Sequence, residues 1–201
     1  MKLKFLLVAF ILSLSYSFSQ EKEDLFSMIE QDQKQIELLP EKMIFTQSLL
    51  WGKNGLLRKT GISPLNLENR EKELKIRKTM LTTHQAIGYL TLASMIAQGI
   101  IGGKLYNGDE SLRSTHNTMG KVVNIGYFTG AGLSLFSPPP LINKKKSKGF
   151  DSIKAHKILA TVHFSAMVAT NHYKYRDKKV HKAAAYTAFA SYATAVLVIK
   201  F

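Results

Sequence analysis

The sequence predicts an all-α fold: an antiparallel four-helix transmembrane bundle, preceded by a short helical N-terminal extension. Three observations predict this class. The C-terminal part of the chain contains four long stretches without formal charge, each part of a predicted helix. Each of these helices has a histidine near its start, and a glycine or alanine follows four positions later, on the same helical face. The four motifs are His84 with Gly88, His116 with Gly120, His156 with Ala160, and His181 with Ala185.

The first element is a secretory signal peptide over residues 1–20. Lys2 and Lys4 supply a basic start, and residues 5–14 form an apolar core that is short for a membrane span. Residues 15–20 are small or polar, apart from two aromatic side chains, and offer a cleavage region. We therefore expect this segment to be removed after export.

Residues 21–78 form an exported extension that is predicted to be partly helical. Pro40 interrupts its first part, and a short apolar piece over 43–50 leads to Trp51. Two interpretations of this piece remain open. It is either an amphipathic helix on the membrane surface, with Trp51 at the level of the lipid headgroups, or a helical cap over the bundle. Residues 68–78 are charged and have helical propensity, and we expect them to form a solvated lead-in to the first helix.

The domain over residues 79–201 contains the four predicted membrane helices. The first covers 79–103, which carries no formal charge and is long enough to cross roughly 30 Å of hydrocarbon. The second starts near Ser114, a plausible N-cap, and ends near Ser137, because three prolines follow at 138–140.

The third predicted helix starts near Asp151 or Ser152 and runs to about residue 173, and the fourth covers 183–199. These helices carry many Gly, Ala, Ser, Thr and Tyr residues. Small residues let membrane helices approach one another closely. A soluble four-helix bundle is the alternative, and the long uncharged stretches argue against it.

Composition excludes several kinds of chemistry. The chain has no cysteine, so disulfides, thiolate ligands, iron–sulfur clusters and covalently attached haem are excluded. The net charge is +14, but the basic residues cluster at the ends of apolar stretches, where they meet lipid headgroups. We therefore expect membrane lipid, and not nucleic acid, as the partner of these charges.

Antiparallel topology determines which histidines can meet. The first and third helices run in the same direction, so His84 and His156 lie near one membrane face. The second and fourth run the opposite way, so His116 and His181 lie near the other. Paired imidazoles can ligate iron from both sides, and a small residue such as Gly88 or Gly120 lets a flat macrocycle lie close to the backbone. The pattern predicts two bis-histidine haem sites.

The third ligand position has two candidates. His163 lies seven residues after His156, hence on the same helical face and deeper in the bundle. It could replace His156 as a ligand or hydrogen-bond a haem propionate. A separate hypothesis is a mononuclear metal held by His156, His163 and a neighbour.

The pattern resembles the four-helix core of the cytochrome b561-type proteins. The similarity covers residues 77–201. It implies two haem b groups, ligand roles for His84, His116, His156 and His181, and electron transfer across a membrane from ascorbate or another reductant to an acceptor such as ferric iron. The chain departs from the family because it lacks the flanking outer helices and because its last two motif histidines are only 25 positions apart.

The predicted function is that of a membrane b-type cytochrome, a transmembrane electron-transfer oxidoreductase whose donor and acceptor the sequence does not identify. The alternative is a haem-free structural or assembly subunit of a membrane complex. A homo-oligomer and a redox partner protein both remain open. We expect a multi-pass inner-membrane protein with a periplasmic mature N-terminus. This orientation places a lysine-rich loop at 144–148 outside, contrary to the usual cytoplasmic bias of positive loops.

Overall fold

The computed structural model describes residues 37–141 and 151–200. All regular structure in these ranges is helical, which confirms the all-α prediction. The predicted signal peptide, residues 21–36 and the loop at 144–148 lie outside the described residues. The helices are α1 (Phe45–Trp51), α2 (Leu56–Lys59), α3 (Leu67–Tyr106), α4 (Arg113–Leu135), α5 (Ser152–Tyr173) and α6 (Lys178–Lys200), with a 3₁₀ turn over Glu110–Leu112 before α4.

Helix α3 is longer than the apolar stretch that predicted it. It begins at Leu67 because the side chain of Asn66 accepts a hydrogen bond from the Asn69 amide at 2.9 Å, which satisfies one free donor of the first turn. The helix continues through the predicted boundary between the exported extension (21–78) and the bundle domain (79–201). At 1.5 Å per residue it is about 60 Å long, roughly twice the thickness of a hydrocarbon core. Only its uncharged part, 79–103, matches a bilayer.

The starts of α5 and α6 are set by aspartates. The Asp151 carboxylate accepts from the Lys154 amide at 2.7 Å, so α5 begins at Ser152, as the sequence predicts. The Asp177 carboxylate accepts from the amides of Lys179 and Val180 at 2.8 and 3.0 Å. Helix α6 therefore starts at Lys178, earlier than the predicted residue 183. A capped and charged first turn precedes its apolar part.

The long helices form two antiparallel hairpins. Helix α3 packs along α4, α5 packs along α6, and α3 also contacts α6. A common core of buried side chains joins the four helices. It consists of Met95 on α3, Val123 and Tyr127 on α4, Met167 on α5, and Ala188 on α6.

Two of these helices are long and apolar enough to cross a membrane by length and composition: α3 and the Lys178–Ile199 part of α6. The sequence predicts four such helices, and two of the four meet these criteria. Helices α4, with 23 residues, and α5, with 22, match α6 in length to within one residue, so they differ from it in composition: each carries lysine and asparagine within its length. Examples are Lys121 and Asn124 on α4 and Lys157 on α5.

The segment before α3 caps the C-terminal end of α4. The carbonyls just beyond Leu135, the last residue of α4, have no partner within the helix, and side chains of α1 supply the donors. The Gln47 amide donates to the Ser137 carbonyl at 3.2 Å, and the Trp51 indole donates to the Phe136 carbonyl at 3.0 Å. These contacts favour the helical cap over the surface helix for this segment.

Two arginines of α3 complete this cap. The Arg77 guanidinium donates to the Pro138 carbonyl at 2.6 Å, and Arg70 donates to the Pro139 carbonyl at 3.1 Å. The prolines end α4 and leave carbonyls without helical partners, and the arginines satisfy them. The charged part of α3 is therefore a structural element of this end and not simply a solvated lead-in.

A buried carboxylate holds the cap together. Glu73 is 1% exposed and forms ion pairs with Arg58 and Arg70. It lies before the uncharged part of α3. Burial opposes ionisation of this carboxyl, but the hydrogen bonds from Arg58, Ser63 and Arg70 outweigh it and hold the pKa of Glu73 below its ordinary value.

Candidate metal centre formed by two histidine pairs

Four histidines lie in two pairs at opposite ends of the bundle. The imidazole centroids of His84 on α3 and His156 on α5 are 6.4 Å apart. Those of His116 on α4 and His181 on α6 are 6.3 Å apart. The ring planes are nearly perpendicular within each pair, at 88° and 80°. These are the pairs that antiparallel topology predicts, while the ligand role of each histidine stays a prediction.

Three of the four imidazoles face backbone carbonyls of the neighbouring helix through Nδ1. His84 lies 2.9 Å from the Gly130 oxygen, His156 lies 2.9 Å from the Ala195 oxygen, and His181 lies 2.8 Å from the Thr170 oxygen. Because a carbonyl oxygen can only accept, Nδ1 must carry the proton and donate it.

This arrangement selects one tautomer. With its proton on Nδ1, a neutral imidazole has its lone pair on Nε2, and that nitrogen is free to bind a metal. Metal-binding histidines generally donate their second ring N–H to a carbonyl or carboxylate, which sets the tautomer and holds the ring. His84, His156 and His181 therefore have the chemistry expected of metal ligands.

The separation within each pair also fits a shared metal ion. Imidazole nitrogens bind metals at about 2.0 to 2.1 Å. Two imidazoles bound on opposite sides of one ion then have their centroids about 6 to 6.5 Å apart, because each centroid lies about 1.1 Å behind its nitrogen. The observed 6.4 and 6.3 Å agree with this distance. The donor set and spacing therefore fit a group ligated by two histidines, as haem b is.

A repeated spacing produces these contacts. On each long helix, the residue fourteen positions after the histidine faces the histidine of the partner helix. Fourteen residues are close to four helical turns, so both positions lie on one face and about 21 Å apart. In the antiparallel hairpins each histidine meets the other helix at that position. The four residues that receive a histidine are Gln98, Gly130, Thr170 and Ala195.

His116 differs from the other three because a side chain faces it. The Gln98 amide nitrogen lies 3.1 Å from His116 Nδ1 and also 3.1 Å from the His116 carbonyl oxygen. The ring also lies close to the backbone of α3, because a Cβ added at Gly102 would lie 2.9 Å from His116 Cε1. Gly102 is therefore needed for the position of this imidazole.

His163 belongs to a central cluster and not to either pair. Its Nδ1 lies 2.6 Å from the Tyr127 hydroxyl oxygen, and its ring packs edge-on against Tyr127 and Tyr192. The Tyr192 hydroxyl donates to the Gly88 carbonyl at 3.3 Å. This cluster links all four helices between the two levels of paired histidines. The geometry favours His156 over His163 as the partner of His84.

The two glycines that sequence reasoning placed beside a cofactor have other neighbours. A Cβ at Gly88 would lie 3.6 Å from the Tyr192 hydroxyl, and one at Gly120 would lie 3.2 Å from the Gln98 amide nitrogen. The contact at Gly120 is tight, whereas 3.6 Å at Gly88 is an ordinary van der Waals distance that an alanine would also make. Their role beside a macrocycle stays a prediction.

The hypothesis of a mononuclear site at His156 and His163 gains no support. Within 37–141 and 151–200, no group of three or more His, Asp or Glu side chains is arranged to hold a metal ion. A shallow cleft of about 520 Å³ lies between α5 and α6, lined by residues such as Val162, Ala166 and Thr187, and it includes none of the histidines. The two pairs are therefore the candidate site.

The sequence places Gln98 and Gly130 on the histidine-bearing faces of their helices, suited to surround a cofactor, but it does not show that they face a partner histidine, and it gives no role to Gly102. The shared spacing of fourteen residues was visible for Gln98 and Gly130, and it indicates the face that receives a partner histidine. Gly102 has no such signal in the sequence, because its importance depends on the position of a ring from another helix.

The chain matches no protein-family model, no curated protein and no solved structure.

Proposed function

We propose that this protein is a membrane b-type cytochrome that carries electrons through two bis-histidine haems, as the resemblance to the cytochrome b561 type implies. The observation that carries the proposal is the spacing of the two histidine pairs, whose imidazole centroids are 6.4 and 6.3 Å apart. In the first pair both rings donate Nδ1–H to carbonyls, so both Nε2 atoms are available. The proposed ligands are His84 with His156, and His116 with His181.

The protein's own contribution is to hold the imidazoles. The carbonyls of Gly130, Ala195 and Thr170 orient three rings and increase the basicity of the nitrogen that binds the metal. Haem, when bound, supplies the one-electron chemistry of iron. The two histidine pairs lie about 20 Å apart along the bundle, so the two proposed sites would lie near its opposite ends.

The bundle is proposed to cross the inner membrane with all four long helices. Helix α3 and most of α6 have the length and apolar composition for this. Exposed apolar side chains also occur on α4 and α5, among them Ile125 at 69% and Val168 at 49% exposure. A lipid environment would cover them. The mature N-terminus is proposed to be periplasmic, and the electron donor and acceptor are left unassigned.

The test is a reduced-minus-oxidised absorption spectrum of the detergent-purified protein, combined with a pyridine haemochrome assay. We expect a b-type spectrum with about two haems per chain. The variants His84→Ala and His116→Ala should each lose about one haem. His172→Ala is the matched control, because His172 is exposed and contacts Arg176 outside both pairs. A haem-free protein after expression with ample haem would overturn the proposal and favour a structural subunit.

A further inference from the structure

The cap at the end of α4 has more arginines than carboxylates. Two of its three arginines form ion pairs with the buried Glu73, and the third, Arg77, forms no ion pair with any described residue. Arg77 donates to the Pro138 carbonyl at 2.6 Å and to the Ser137 hydroxyl at 3.2 Å, and both of these acceptors are neutral. The cap therefore has a surplus positive charge at Arg77.

The surroundings of Arg77 disfavour a charge without a partner. Its side chain is half-buried, so water solvates the guanidinium only in part. Arg70 donates to the next carbonyl along the chain, that of Pro139, and the two like charges repel each other. An anion bound beside Arg77 would relieve this repulsion and replace the lost solvation.

Arg77 has hydrogen-bond donors left for such an anion. A guanidinium carries five N–H groups, and both of the acceptors above are reached by Nη1. The Nε and Nη2 atoms donate to no acceptor in the part of the chain that the structure describes. These two nitrogens form one edge of the planar group, and a carboxylate can bind such an edge through two parallel hydrogen bonds.

The position of Arg77 relates this edge to the first histidine pair. Arg77 lies seven residues before His84, so it is on the same face of α3 and about 10 Å nearer the end of the bundle. Both side chains contact carbonyls of α4 and its end, those of Gly130 and Pro138. A haem carries two propionate carboxylates, and burying an ionised carboxylate without a partner is costly. Such carboxylates favour the end of the bundle, where Arg77 lies.

We propose that Arg77 binds a propionate carboxylate of the haem at the His84–His156 pair. This inference rests on the proposed function. The carboxylate would accept from Arg77 and offset the surplus charge of the cap. Hydrogen bonds to charged groups are strong enough that losing this contact should weaken haem binding at this pair about tenfold. A lipid phosphate offers similar chemistry, and the experiment distinguishes it from a propionate.

The test compares haemin with haemin dimethyl ester, whose two propionates are esterified and carry no charge. Haem-free, full-length protein in detergent is titrated with each ligand and followed by the Soret absorbance. The variant His116→Ala serves as the background, so that only the His84–His156 pair is measured. We expect haemin to bind more tightly than the ester. Adding Arg77→Gln or Arg77→Met should reduce the ratio of the two dissociation constants about tenfold. Partition into detergent cancels when this ratio is compared between variants.

Lys78→Met is the matched control, because Lys78 is the next residue of the same helix and is exposed. It should leave the ratio unchanged. Retained binding of the ester shows that the site is folded, and Arg77→Gln keeps an amide donor for the cap. An unchanged ratio in the Arg77 variants would overturn the inference and favour another anion, such as a lipid phosphate. An equal loss in Lys78→Met would overturn it as well, since it would reveal a general charge effect. Binding of neither ligand to the protein with all its histidines would instead overturn the proposed function.

Discussion

His84 on α3 and His156 on α5 have imidazole centroids 6.4 Å apart, although the two residues belong to different hairpins of the bundle. Each ring is held by the helix that packs along its own: His84 by the Gly130 carbonyl of α4, and His156 by the Ala195 carbonyl of α6. The hairpins thus orient the rings, and packing between hairpins sets the distance.

The position of His163 predicts a clear difference from His156. His156→Ala should remove about one haem per chain, because it deletes the partner of His84. His163→Ala should keep both haems, because His163 contacts Tyr127 and Tyr192 and neither pair. The pyridine haemochrome assay on both variants measures this. Loss of one haem in His163→Ala with both retained in His156→Ala would assign the ligand role to His163.

The contact between Gly102 and His116 predicts a local effect of a small substitution. Gly102→Ala places a methyl group 2.9 Å from His116 Cε1, so the ring must shift. We expect the haem stoichiometry at the His116–His181 pair to fall while the His84–His156 pair is unaffected. Gly99→Ala is the matched control, since nothing lies within 4 Å of a Cβ at that position. Equal spectra for the two variants would argue against the observed position of His116.

The buried carboxylate of the cap predicts a large loss of stability. Glu73→Ala leaves Arg58 and Arg70 without their charge partner, and removing one member of a buried ion pair costs about 3 to 5 kcal/mol. The control is Glu71→Ala, whose exposed pair with Lys75 contributes at most about 1 kcal/mol. Thermal unfolding in detergent compares them. Similar melting temperatures for the two variants would show that the cap contributes little.

The same carboxylate predicts a dependence on pH. The pKa of Glu73 in the folded protein is below its ordinary value of 4.5, because hydrogen bonds from Arg58, Ser63 and Arg70 outweigh the effect of burial. The stabilisation is therefore complete above about pH 4.5 and is lost as the pH falls through the lowered pKa. Melting temperatures of the wild type should drop over this acidic range.

The variant Glu73→Gln separates this effect from general acid denaturation. The amide cannot titrate, so the difference in melting temperature between wild type and variant should be largest near neutral pH and shrink at low pH. Glu71→Gln serves as the control and should follow the wild type at every pH. A difference that stays constant with pH would mean that ionisation of Glu73 does not stabilise the fold.

Much of the histidine arrangement could be predicted from the sequence. Each motif histidine lies near the start of its helix, and successive helices run in opposite directions. His84 and His156 therefore lie at one end of the bundle, and the other two motif histidines lie at the opposite end. The role of the segment before α3 could not be predicted in the same way. Its donors, such as Gln47 and Arg77, contact carbonyls at residues 137 and 138, which are 60 or more positions away along the chain. No local pattern encodes such a contact.

The sequence by itself determined the all-α class, the positions of the four histidine motifs and the fourteen-residue spacing, because helical periodicity is a local property of the chain. Only the tertiary structure decided which atom faces each imidazole. A shift of one residue in the register between α3 and α4 would exchange the Gly130 carbonyl or the Gln98 amide for another group. That register depends on how side chains of both helices pack together, so it exists only in the folded protein.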